Sequence, residues 1–139
     1  MVEIEGEGQQ KGLPGDGPEL IAFMSFAVVR GFGAQHPLIA LADRLHDTHR
    51  VPLGPLTTFY EALIEDAEDA GKLDLAWQAA APLRDSVTAM STALAEDHQC
   101  QALVRRASSE ALPGQVAALI PILERAAAQG SRVRLSFAL

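Results

Sequence analysis

The last nine residues, Ser131 to Leu139, restrict the fold of this chain more than any other stretch. SRVRLSFAL alternates strictly, with Val133, Leu135, Phe137 and Leu139 on one side and Arg132, Arg134, Ser136 and Ala138 on the other. A period of two belongs to a strand with one apolar face. A strand cannot satisfy its backbone alone, so this one needs a partner. The other strand candidate is the N-terminus, where Val2 and Ile4 alternate with Glu3 and Glu5. Paired with the C-terminus, Glu3 and Glu5 would face Arg132 and Arg134, and each such cross-strand pair contributes roughly 0.2–1 kcal/mol. A two-stranded ribbon is marginal by itself and needs a helix face or a second copy to support it. Pairing within one chain and pairing between two copies across a two-fold axis fit the pattern equally well.

Most of the intervening sequence is patterned for helices. Gly6 to Gly17 carries five glycines and Pro14 and reads as a mobile linker. Residues 1–17 are thus a strand candidate plus linker, and residues 18–139 a single helical domain ending in the strand. Pro18 suits the first helical position, and Glu19 suits the dipole of a helix running to about Arg30. Leu20, Ile21, Phe23, Met24, Phe26, Val28 and Val29 surround that helix with apolar groups, which marks a central core helix or one buried against a second subunit. Phe23, Met24 and Phe26 are the natural anchors of such an interface. Pro37 opens a second helix to about His49, buried through Leu38, Leu41, Ala42 and Leu45.

Pro55 to Gly71 has the clearest helical period of all. Leu56, Phe59, Tyr60, Leu63, Ile64 and Ala67 form one face, and Glu61, Glu65, Asp66, Glu68 and Asp69 the other. Pro82 should kink or divide the segment Leu75 to Ala95. Asp97 is placed to cap a helix from about His98 to Leu112, which Pro113-Gly114 breaks. A last helix runs from Gln115 to Gln129, with Pro121 as a further kink and Gly130 as its stop. The fold class is therefore mainly α, an irregular bundle of five or six helices with a short terminal strand or two-stranded ribbon.

Charge narrows the partners. The net charge is −7, and it is unevenly placed. Residues 1–71 hold four basic groups against twelve acids, giving −8, while the remainder holds seven against six, giving +1. That asymmetry suits complementary association and argues against nucleic acid, whose affinity rests on neutralising phosphates. A single cysteine, Cys100, excludes an internal disulfide framework and fits a reducing compartment. The N-terminus lacks the basic and apolar regions of a signal peptide, and no apolar run approaches the roughly 20 residues of a membrane span. A cytoplasmic protein that binds neither membrane nor nucleic acid is expected.

Chemistry is sparsely marked. His46 and His49 lie three apart on one helix face, and His98 and Cys100 offer nitrogen and sulfur, but neither pair matches a structural zinc spacing. Glu61, Glu65, Glu68 and Asp69 occupy adjacent turns of the acidic face. Helical NTP pyrophosphohydrolases and carboxylate-bridged bundles hold divalent metals with such acids, plus a second acidic pair from a neighbouring helix. The only nearby pair, Glu96 and Asp97, has no convincing spacing for that task. A nucleophile elbow, a P-loop and a dinucleotide fingerprint are all lacking. The composition and patterning point to a small interaction or assembly module without a cofactor, self-associating as a homodimer through Phe23, Met24 and Phe26 or through Val133, Leu135 and Phe137. The alternative is a small helical hydrolase using magnesium or manganese on the Glu61 to Asp69 acids.

Overall fold

The computed structural model describes residues 2–4, 10–11, 17–28, 35–61, 71 and 75–137. Among these the chain is mainly α, with five α-helices in an irregular bundle and a ribbon joining its two ends. The helices are α1 (Pro18–Val28), α2 (Pro37–Asp47), α3 (Ala80–Glu96), α4 (His98–Arg106) and α5 (Leu112–Ala128). The strands are β1 (Val2–Ile4), β2 (Gln10–Lys11), β3 (Phe59–Glu61), β4 (Gln78–Ala79) and β5 (Arg132–Phe137).

The two termini pair within the chain. β1 runs antiparallel to β5 in the register Val2↔Leu135, Glu3↔Arg134, Ile4↔Val133, so Glu3 stands opposite Arg134 as the charges predict. Glu5 lies outside the described residues. The ribbon is the centre of a larger sheet. β2 adds to β1, β3 pairs parallel with β5, and β4 pairs antiparallel with the start of β5. Val2, Val133 and Leu135 point into the common core at 3% exposure or less. On the opposite face the Arg134 guanidinium lies 4.6 Å from the centre of the Trp77 ring, close enough for a cation–π contact.

Helix faces fill the rest of that core. α3 and α5 make the most extensive pair. Their stripes, Leu83, Val87, Met90 and Leu94 on α3 and Val116, Leu119 and Leu123 on α5, are all buried. α2 packs on α1 and α4, and its predicted stripe of Leu38, Leu41, Ala42 and Leu45 is buried as expected.

Several local expectations fail, each for a physical reason. The helix read over Pro55 to Gly71 is absent from its first seven residues, which start as a single 3-10 turn, Pro55–Thr57, whereas Gly71 at its far end is helical. Thr57 and Thr58 both donate their hydroxyls to the Gly54 carbonyl, a local alternative to helical bonding. Thr58 leaves the helical region (φ −97°, ψ 85°), and Phe59–Glu61 becomes β3 against β5. Aromatic residues suit a half-buried strand, and an unpaired edge of β5 supplies a ladder that an isolated helix could not match. Residues 62–70 are outside the described set.

Pro82 does not kink its helix, because α3 begins at Ala80 and places Pro82 in the first turn, where no backbone N–H is needed. Pro113 likewise starts a helix instead of breaking one, at the second position of α5. The preceding helix ends earlier than predicted, at Arg106, followed by Ser108 with a left-handed φ of 53°. Pro121 sits on the exposed side of α5 without ending it. The stretch read as a linker contributes Gln10–Lys11 to the sheet.

α1 is tied to α5 by a long-range cap. Gly17 precedes α1 and has no side chain to cap it. The Leu20 N–H donates instead to Gln115 Oε1 at 2.9 Å, and Gln115 Nε2 donates to the Glu19 carboxylate. Gln115 is 2% exposed.

Candidate functional site

The described residues singled out by sequence do not form the pairs expected of them. Glu61 lies in β3, so it shares no helical face with Glu65, Glu68 and Asp69, which are outside the described residues. The i, i+3, i+4 geometry required for a helical acidic metal site therefore does not include Glu61. His46 Nδ1 contacts the neighbouring Asp47 carboxylate at 2.8 Å, and its side chain is 49% exposed. His49 points elsewhere, so these two imidazoles do not converge on each other. Phe23 and Met24 are buried inside one protomer at 0% and 4% exposure, as are Val133 and Leu135, so none of the four offers surface to a partner. Phe26 is half-buried and stacks on the His36 ring with centroids 4.0 Å apart. The side chain of Phe137 is outside the described set.

One polar cluster does assemble, around Asp97. Asp97 was read as a helix cap and is one, accepting from the Gln99 N–H through Oδ1 at 2.9 Å. Its second oxygen is shared. Oδ2 takes Arg44 Nε and His49 Nε2 at 2.6 Å each, and the Cys100 thiol donates to it at 3.5 Å. Two elements far apart in the chain create this convergence. α2 carries Arg44 and ends so that His49 returns over it. The turn between α3 and α4 presents Asp97, with Cys100 one helical turn later.

The electrostatics follow from the contacts. The Arg44 guanidinium first, then His49, hold the Asp97 carboxyl well below the usual carboxylate range. The same ion pair raises Arg44 above its ordinary value. Burial, then the Asp97 charge, push the Cys100 thiol up to about 11. A thiol held protonated is a poor nucleophile, so the cluster is not arranged for attack by sulfur. Glu96, His98 and Gln99 line an open depression beside it, together with Arg44, His49 and Asp97.

A second feature is the groove between α2 and α4. The segment before α2 and its first turns supply Gln35, His36, Ile39, Ala40 and Asp43, and α4 supplies Leu103 and Arg106. Ile39, Ala40 and Leu103 give it an apolar floor of aliphatic groups. Asp43 stands on one wall and Arg106 on the other. An apolar centre with a polar rim is the anatomy of a protein interface. Sequence reasoning missed this groove, because Ile39 and Ala40 fall outside the main stripe of α2 and no local signal sets Leu103 of α4 beside them.

No helix among the described residues is long and apolar enough to cross a membrane. Comparison of the chain with protein-family models, with curated proteins and with solved structures gives no match.

Proposed function

We propose that this chain is a small interaction or assembly module that works as a homodimer and performs no catalysis of its own. The observation that carries this reading is the α2/α4 groove. Its acid lies on the α2 wall, at Asp43, and its base on the α4 wall, at Arg106. A two-fold axis places residue i of one copy on residue j of the other and j on i, so a groove with one charge on each wall is complementary to itself. The aliphatic floor formed by Ile39, Ala40 and Leu103 supplies apolar area at the centre of the contact. The free, buried thiol of Cys100 supports a reducing compartment, and on that ground we place the protein in the cytoplasm.

Light scattering tests the reading directly. The expected mass is twice the 14.8 kDa of one chain. Asp43→Arg and Arg106→Asp each set like charges against one another across the axis and should yield monomer. The double variant restores opposite charges and should restore the dimer. A wild-type monomer at roughly 100 µM chain, where even weak specific contacts are populated, would refute the proposal. Single variants that stay dimeric would refute the groove as the interface.

A further inference from the structure

We propose that His49, Asp97 and Cys100 form an inducible site for a borderline-soft divalent cation, best matched by Zn2+, with the Arg44 guanidinium as the group the ion displaces. The inference stands apart from the dimer reading, because none of these residues lines the α2/α4 groove.

The ligand atoms come from three types of donor that together suit zinc: an imidazole nitrogen, a carboxylate oxygen and a sulfur. A ring nitrogen of His49, an Asp97 oxygen and Cys100 Sγ lie within 4.8 Å of one another. A tetrahedral ion with bonds of about 2.0–2.3 Å separates its nitrogen, oxygen and sulfur ligands by roughly 3.3–3.6 Å. The Cys100 Sγ to Asp97 Oδ2 separation of 3.5 Å already fits. The His49 Nε2 to Asp97 Oδ2 separation of 2.6 Å must widen by something under an ångström to admit the ion. His49 follows the end of α2 and its side chain is 29% exposed, so that adjustment falls on a ring at the surface and not on the core.

Asp97 can serve the ion without giving up its cap, since Oδ1 accepts from Gln99 while Oδ2 faces the other ligands. Oδ2 already collects positive charge from Arg44 at 2.6 Å. The Arg44 side chain is 28% exposed and borders the open depression, so it has room to swing aside. Three protein ligands leave a fourth position facing the same depression, where water or the neighbouring His98 can complete the shell. Coordination forms the sulfur–metal bond and passes the thiol proton to solvent, with no change in oxidation state.

Cobalt(II) titration of the full chain tests the site, because cobalt replaces zinc and a thiolate ligand gives a near-ultraviolet charge-transfer band. The expected result is a band saturating at one ion per chain, reversed by zinc, and lost in both Cys100→Ser and His49→Gln. Arg44→Met removes the competing cation and should tighten cobalt binding roughly ten-fold, the order by which groups around a metal tune affinity. That variant also covers a failure of the other two to fold, since a loss of structure would weaken binding and not tighten it. No charge-transfer band in the wild type, a band that persists in His49→Gln, or an Arg44→Met protein that binds no more tightly would overturn the proposal.

Discussion

Replacing Gln115 with leucine should cost the protein about 2 kcal/mol, and the figure comes from one hydrogen bond. Gln115 Oε1 accepts from the Leu20 N–H at 2.9 Å, in a site where Gln115 is 2% exposed. Leu20 is the third residue of α1, so its N–H is among those a helix start leaves without an intrahelical partner. Leucine keeps nearly the same volume, so no cavity opens, but the donor is left buried and unpaired. That penalty runs about 1–3 kcal/mol. Glu19 also loses its amide partner, but it is half-exposed and can turn to water, so its share is small.

At about 2.1 cal/mol/K per residue, the unfolding entropy of a chain this size is near 0.29 kcal/mol/K, so 2 kcal/mol lowers Tm by about 7 °C. Urea denaturation followed by circular dichroism should show a lower midpoint with an unchanged slope. Gln115→Glu keeps the acceptor but sets a carboxylate against Glu19. The double variant Glu19→Gln, Gln115→Glu reverses donor and acceptor and should return to within about 0.5 kcal/mol of wild type. A Gln115→Leu protein that loses less than about 0.5 kcal/mol would show that the cap does not stabilise α1, and the reasoning would fail.

Three further outcomes follow from backbone and charge. Gly130 ends α5 with φ at +67°, and an added Cβ meets nothing within 4 Å, so Gly130→Ala should cost about 1 kcal/mol from backbone strain alone. Ser108 holds a left-handed φ of 53° with a side chain present, so Ser108→Gly should leave stability unchanged or raise it, the opposite sign in the same urea assay. The Asp97 carboxyl titrates below its unfolded value of about 3.9, so its contribution is complete above that pH and is lost as pH falls through the folded value. Asp97→Asn should therefore be less stable than wild type at neutral pH, with the gap closing below about pH 4. A gap that stays constant with pH would show that the carboxylate charge is not what holds Arg44 and His49.

Much of the fold was legible because it is local. Pro18 and Pro37 open α1 and α2, Asp97 caps α4, and Gly130 stops α5, each from chemistry within a few residues. The alternating C-terminus required a partner, and charge named it: Glu3 stands opposite Arg134. The candidate sites were legible only in fragments. His49 and Cys100 each drew notice in a separate pair, and Asp97 as a helix cap and, beside Glu96, as an acidic pair without convincing spacing. Nothing in the sequence announced that a carboxylate has a second oxygen free to join residues from two other places.

Spacing and side chains near their own backbone were enough for the period of most helices, the Asp97 cap, the Gly130 stop and the strand at each end. Tertiary structure decided the rest. It turned Phe59–Glu61 from a helical face into β3, since an open ladder on β5 outweighs a propensity differing by tenths of a kcal/mol per residue. It capped α1 from Gln115, 95 residues away, and it brought Arg44, His49 and Cys100 to one oxygen of Asp97. Those contacts join residues distant in the chain, and only the packing of α2 against α4 and of α1 against α5 sets the distances at which their chemistry acts.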